Sequence, residues 1–466
     1  MTGGIRPMYR GRTVLVVGAA RSGVAAAEFL LASGARVVLT DIKSEESLAV
    51  PLDSLKNLAK TSGELTLELG GHHAESFRAA DFVLVSPGVP MALPCIEESR
   101  LAGIPVLAEV ELAYRHLRGK IVAITGSNGK TTTTTLVAEL LSSAGLRAFA
   151  AGNIGRALIS FAAGSQADDI YVVELSSFQL EGILRFRPLV GAVLNLTPDH
   201  MDRYPGFAEY VRAKARIFEN QTAADFAVLN ADDPRTAAMR TGIVSTPFLF
   251  SRRGEVECGT MIRDGRIVYR DERGEKDLFG VDDIRLRGSH NLENVLAASA
   301  MALLAGAPPE ALGHGVRSFQ GVEHRLEWVA DHDGVQYFND SKATNVDAAI
   351  QSLLAFARGI IWIAGGRDKG ADFAPLRPLV AGRVKHLIVL GEAAGKIREA
   401  LGDLVETTAA ATHPEAVTLA GHRAAAGDIV LLAPACASFD MFVDYEHRGR
   451  VFKEAVRGFA GENVKG

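Results

Sequence analysis

Cysteine is scarce in this chain: 466 residues contain three, Cys95, Cys258 and Cys436. They show no metal-ligand spacing and are too few for a disulfide framework. They fit a reducing cytosol as small buried residues. An excess of charge of one sign is also missing. Lys and Arg number 50 against 55 Asp and Glu, a net charge of −5, which argues against a nucleic-acid partner. No uninterrupted apolar stretch is long enough to span a bilayer, so no membrane insertion is expected. Arg6, Arg10 and Arg12 ahead of an apolar run imitate a signal peptide. Arg21 and Glu28 interrupt that run, and the pattern continues as a strand–turn–helix–strand unit. Internal repeats and low-complexity tracts are lacking too. What remains is a cytoplasmic globular protein, 48% hydrophobic and 23% charged, long enough for roughly two to four domains.

Against that background the informative stretch is Ile121-Val-Ala-Ile-Thr-Gly-Ser-Asn-Gly-Lys-Thr-Thr-Thr-Thr-Thr-Leu136. It predicts an apolar strand, a short loop bounded by Gly126 and Gly129, and a helix opened by Lys130 and Thr131. Glycines let backbone N–H groups approach phosphate oxygens, and a helix N-terminus adds partial positive charge. Lys130 would reach terminal phosphates and the Thr131 hydroxyl would hold Mg²⁺. The run of threonines is a poor helix former, so propensity does not account for it. The competing reading is an ordinary strand–turn–helix with an Asn-Gly turn; Gly-Lys-Thr at this point speaks against it. The loop is shorter than a standard phosphate loop, whose first glycine would fall at Ile124.

Strand-like runs alternate with helical patterns throughout, which predicts an α/β fold with mostly parallel sheets. Val14–Val17, Val37–Thr40 and Phe82–Ser86 read as strands of a first unit. Ile121–Thr125, Ile170–Leu175 and Ala192–Asn195 belong to a second, and Ile360–Ala364, His386–Leu390 and Ile429–Ala433 to a third. Boundaries are expected near Ala108 and Gln320–Gly321, giving domains 1–108, 109–321 and 322–466. Phe248–Leu286, richer in charge and glycine, predicts a small antiparallel section inside the middle domain.

Gly18-Ala-Ala-Arg-Ser-Gly23 follows a strand, and Asp41 ends the next. This layout is a Rossmann-type fingerprint with Ala20 in place of the middle glycine. Alone it leaves open a ligand-free turn, a non-catalytic nucleotide-binding module and an NAD-dependent oxidoreductase. Ser86-Pro-Gly-Val-Pro90 is a second tight loop that could face the same crevice. Glu174, at a strand end beside the phosphate loop, is suited to Mg²⁺, which takes oxygen ligands. Asn195-Leu-Thr-Pro-Asp-His-Met-Asp-Arg-Tyr204 brings Asp199, His200 and Asp202 to the same edge. Lys214, by pattern alone, reads as a surface lysine on a helix.

The loop T-G-S-N-G-K-T-T resembles the ATP loop of the Mur ligase and folylpolyglutamate synthetase superfamily. Asn339-Asp-Ser-Lys-Ala-Thr-Asn345, Gly365-Gly-Arg-Asp-Lys369 and Pro434-Ala-Cys-Ala-Ser-Phe-Asp440, followed by Tyr445-Glu-His-Arg-Gly449, are similar to the D-glutamate-adding branch of the Mur ligases. The D-N-P-R signature of the diaminopimelate- or lysine-adding branch is absent. A folylpolyglutamate synthetase shares the loop but not this first domain. An L-glutamate-adding variant is not strictly excluded.

The resemblance spans nearly the whole chain and implies three domains: Rossmann-like, central P-loop ATPase-like, and a second Rossmann-like one. It implies ATP, Mg²⁺, D-glutamate and UDP-N-acetylmuramoyl-L-alanine as ligands, an acyl-phosphate route in peptidoglycan precursor synthesis, and a monomer. By the same resemblance Gly126, Ser127, Asn128, Gly129, Lys130, Thr131, Thr132, Asn294, Arg325 and Asp340 hold ATP. Arg21, Ser22, Asp41, Ser86, Gly88 and Asn153 hold the uridine substrate. Lys342, Thr344, Lys369, Ser438 and Phe439 line the glutamate site. Thr131, Glu174, His200 and Lys214 serve the metal, with Lys214 carbamylated. Lys130, Glu174, His200, Lys214 and Arg325 are the implied catalytic set. Tyr445 stands where some family members have phenylalanine.

Overall fold

Short β-branched runs bounded by glycine turns set the frame, because both faces of a parallel sheet are buried and favour such runs. A computed structural model describes residues 8–48, 52–199, 201, 203–286, 288–368 and 370–462. They form three sheets of five, nine and six strands. By spatial contact the chain divides into two compact units. The first is Met1–Ile284 with Leu292–Phe319, and the second is Arg285–Asn291 with Gln320–Gly466.

The first unit holds two sheets. In the five-stranded one, Thr13–Val17 lies at the centre and pairs in parallel with Arg36–Asp41 and Phe82–Val85. Glu64–Leu69 and Val106–Ala108 flank these, again in parallel. The order reverses on either side of the central strand, so the loops after Val17 and Val85 meet at a switch point, the usual ligand crevice of such sheets. In the nine-stranded sheet Lys120–Thr125 lies third from one edge, between Ile170–Glu174 and Val190–Val193. Its far edge is antiparallel: Gly259–Arg263, Arg266–Asp271 and Gly274–Gly280 pair in that sense. This is the antiparallel section expected within Phe248–Leu286. A core shared by both sheets includes Leu30, Val110, Ile121, Leu158, Ile159 and Tyr171.

The second unit has one sheet. Val335–Asn339, Ile429–Leu432, Ile360–Gly365, Val384–Leu390 and Thr407–Ala409 run parallel, with Glu327–His332 antiparallel at one edge. Trp362 is fully buried at its centre, and its indole N–H donates to Ala433 O at 2.8 Å.

Candidate functional site

The phosphate loop in the first unit is tied down along its length. Ser127 N donates to Asn195 O at 3.0 Å, and Asn128 N to Asn195 Oδ1 at 2.8 Å. Ser127 Oγ donates to Thr197 O at 2.8 Å and lies 3.0 Å from Tyr210 Oη. The loop after the strand Val190–Val193 therefore holds the cradle in shape. Gly129 caps the helix Lys130–Ser143 with φ +82°, and a Cβ there would collide with Asn294 Oδ1. That close approach requires glycine. The same Asn294 oxygen accepts from Thr133 Oγ1 at 3.3 Å, which gives one threonine of the unusual run a function. Thr131 and Thr132 are buried at the helix start. Lys130 Nζ donates to Gly126 O at 2.9 Å and Ser127 O at 2.8 Å, so its ammonium curls over its own loop.

Lys214 departs from its pattern-based reading. It is 2% exposed, and its Nζ donates to Gly126 O at 2.8 Å. The amine also lies 4.6 Å from the Tyr210 ring centre. Burial, with the Lys130 charge second, holds its pKa well below that of an ordinary lysine; Asp199 and Glu174 pull the other way. The helix Phe207–Ala215 gave no warning, because its outward residues follow a surface pattern while Lys214 turns into the cradle.

Glu174 ends its strand and is 2% exposed. Its Oε1 accepts from Asn153 Nδ2 at 3.0 Å, while its Oε2 is buried without a hydrogen-bond partner among the described residues. A buried, half-satisfied carboxylate is costly unless a cation completes it. Glu174 and Thr131 supply oxygen donors, the ligand type Mg²⁺ prefers. His200, and Asp202 near it, lie outside the described residues.

At the first sheet's switch point, Gly18 N donates to Thr40 O, and a Cβ at Gly23 would collide with Gly18 O. Ser86 Oγ donates to the same Gly18 carbonyl at 2.8 Å, joining the two tight loops. Asp41 Oδ2 accepts from Ala19 N at 2.7 Å, and Oδ1 from Lys43 N at 2.9 Å. Ser86 and Asp41 thus shape the crevice with their polar atoms. Arg21, on the helix Arg21–Ala32 with Ser22, reaches Gly155 O at 3.2 Å. A side chain at Gly88 would meet nothing within 4 Å, so the loop is open there.

In the second unit, Asp340 is 7% exposed and accepts from Ser352 Oγ at 2.6 Å. Burial raises its pKa, against the Ser352 hydrogen bond and Arg325. Arg325 and Asp340 therefore lie close enough to interact. Lys342 Nζ sits 5.6 Å from the Tyr445 ring centre. Thr344 N donates to Lys342 O at 2.8 Å. Ser438 is buried, and Phe439 beside it is 57% exposed. Lys369 lies outside the described residues.

Motif reading gave Arg448 no function, although it stands in Tyr445–Gly449. It is 1% exposed, and its guanidinium donates to Ser341 Oγ and O and to the Cys436 and Ala437 carbonyls at 2.8–3.3 Å. It clamps the Asp340–Thr344 turn to the loop carrying Ser438. Burial lowers its pKa only to about 10, so it stays cationic at neutral pH. An arginine after an aromatic-acidic pair was the available signal; its burial was not.

Comparison with known proteins agrees with this geometry. Residues 12–108 match the Mur ligase MurD-like N-terminal domain, 124–302 the Mur ligase middle domain, and 324–436 the Mur ligase glutamate ligase domain. A UDP-N-acetylmuramoylalanine–D-glutamate ligase from Koribacter versatilis is 48% identical over 98% of this chain and 99% of its own. A relative of the same name from Geotalea daltonii is also 48% identical, over 98% and 99%. Among solved structures, the UDP-N-acetylmuramate–alanine ligase of Thermotoga maritima shares the fold at TM-score 0.59 and 19% identity, covering 96% of this chain and 99% of its own. The pseudomurein peptide ligase type C of Methanothermus fervidus does so at TM-score 0.58 and 19% identity, over 96% and 100%. With three family domains in order and near-complete alignment to close relatives, this chain belongs to the Mur ligase family.

Proposed function

We propose that this protein joins D-glutamate to UDP-N-acetylmuramoyl-L-alanine at the expense of ATP, acting as a cytoplasmic monomer in peptidoglycan precursor synthesis. The observation that carries this reading is 48% identity over 98% of the chain to proteins bearing that activity in their names. No helix among the described residues is long and apolar enough to cross a membrane. The domains are 1–108 for the uridine substrate, 109–321 for ATP and 322–466 for the amino acid.

ATP's phosphates occupy the cradle of Gly126–Thr132, and Lys130 leaves its loop carbonyls for the terminal phosphate. Asn294, held by Thr133, reads the adenine. Asp340 meets the ribose and Arg325 the γ-phosphate, a task for a permanent, planar cation. Thr131, Glu174, His200 and Lys214 serve the magnesium site; the ion, when bound, neutralises phosphate charge. The depressed basicity of Lys214 favours the neutral amine, the form that adds CO₂ to give a carbamate. Carbamylation would replace this amine by an anion able to serve a bound magnesium ion.

The L-alanine carboxylate, delivered by Arg21, Ser22, Asp41, Ser86, Gly88 and Asn153, attacks the γ-phosphorus, and ADP leaves. The D-glutamate amine then adds to the acyl phosphate, loses a proton and expels phosphate. Lys342, Thr344, Lys369, Ser438 and Phe439 hold the incoming amino acid. Positioning and charge stabilisation carry the phosphoryl step. The test is phosphate release with each substrate omitted in turn. Release that requires ATP, the uridine substrate and D-glutamate together supports the reading. Release unaffected by omission of the uridine substrate refutes it.

A further inference from the structure

Beyond the phosphate cradle, one buried carboxyl stands out. Glu109 opens the helix Glu109–Tyr114 and is 1% exposed. Its Oε1 accepts from Ile159 N at 2.6 Å, while its Oε2 is buried without a hydrogen-bond partner among the described residues. Its neighbour Glu111 differs: Oε2 accepts the N–H groups of Leu184, Arg185 and Phe186, each at 2.9 Å, and Arg115 pairs with Oε1. Glu111 is a well-satisfied structural carboxylate. Among the described residues no cation pairs with Glu109, and it is met only by backbone, that of Ile159 and Leu158. Burial pushes its pKa up to about 7, against the pull of the Ile159 and Leu158 backbone.

The position of the Ile159 bond is informative. Ile159 lies in the 3₁₀ turn Leu158–Gly164, which packs against both Glu109–Tyr114 and Arg21–Ala32. Just upstream is the tight loop Ala151–Arg156, closed by Gly152 N donating to Arg156 O at 3.1 Å. This loop carries Asn153, which is bonded to Glu174 Oε1, and Gly155, whose carbonyl receives Arg21. Glu109 therefore fixes the downstream end of a loop whose tip touches Glu174, at a strand end of one sheet, and Arg21, on the helix that follows the central strand of the other.

We propose that Glu109 is a positioning residue for the uridine substrate, acting through Ile159 to hold the Asn153–Gly155 loop against Glu174 and Arg21. The inference rests on the assignment of Asn153 and Arg21 to that substrate. Glu109 touches no substrate itself. Losing its acceptor frees the Ile159 N–H and lets the loop drift, which weakens a binding interaction and leaves the phosphate cradle in place.

The test is steady-state kinetics on the full chain with Glu109→Ala, Glu109→Asp and Glu109→Gln. The alanine variant is expected to raise KM for the uridine substrate about tenfold, with KM for ATP and D-glutamate within about twofold. Glutamine keeps an acceptor for Ile159 and is expected to restore KM to within about threefold. Aspartate, one methylene short, falls between the two and serves if the alanine variant does not fold. In combination with Asn153→Ala the losses are expected not to multiply, because both act on one loop. Equal losses for all substrates, no rescue by glutamine, or fully multiplicative losses each overturn the inference. A wild-type enzyme inert toward the uridine substrate defeats the functional reading instead, so the two failures are distinct.

Discussion

Replacing Glu109 by glutamine also has a thermodynamic consequence that can be worked out. The carboxyl titrates near 7 in the fold against a reference of 4.5. A raised carboxyl pKa means that the folded state binds more protons than the unfolded state between those values. Its stabilising contribution is present below the lower value and is lost as pH rises through the upper one. Glutamine does not titrate and mimics the neutral acid. Relative to the variant, the wild type is therefore weaker by about 1 kcal/mol near pH 5 and by about 3 kcal/mol near pH 8.5. The offset from the exchanged amide group is constant with pH, so the slope is the readout. Thermal unfolding across this range is expected to show the Tm difference shifting in the variant's favour by several degrees as pH rises. Parallel curves would refute the argument. Divergence in the opposite sense would mean that Glu109 is held ionised by a partner.

Gly129→Ala places a methyl against Asn294 in a left-handed backbone. Strain of about 1–2 kcal/mol, with about 1 kcal/mol for the disturbed Thr133 bond, is expected to lower Tm and raise KM for ATP. An unchanged Tm and KM would count against the Gly129–Asn294 contact. Lys214→Ala is expected to fold and to lose nearly all turnover, with short carboxylates such as acetate restoring part of it. No rescue at any concentration, with an unmodified Lys214 by mass, would remove the carbamate from the account.

Much of this architecture was legible in the chain, for physical reasons. Parallel strands such as Ile170–Glu174 and Ile360–Gly365 are buried on both faces and announce themselves as continuous apolar runs. Glu64–Leu69 and Glu327–His332 lie at sheet edges, contain no fully buried residue and escaped notice. The strand–turn–helix around Gly126–Thr131 was legible because an apolar run there stops at two glycines. Lys214 was not, since helix periodicity records which face is apolar and Lys214 is buried among polar groups. Arg448 and Glu109 were invisible for a related reason: most of their partners are backbone groups of distant segments, which side-chain patterns do not record. Ser86 and Asp41 also shape the crevice through hydrogen bonds to neighbouring backbone, which the motifs did not record.

The central claim is the identity of the amino acid added. Purified protein, ATP, magnesium and UDP-N-acetylmuramoyl-L-alanine incubated with D-glutamate, L-glutamate or D-aspartate, and followed by product mass and phosphate release, tests it most directly. Inverting the α-carbon with both carboxylates held turns the amine away from the acyl phosphate. Removing a methylene leaves one carboxylate short of its donors. The account predicts one glutamyl residue added per phosphate released with D-glutamate, and little product with the other two. Efficient ligation of L-glutamate, or phosphate release without a heavier uridine product, would contradict it.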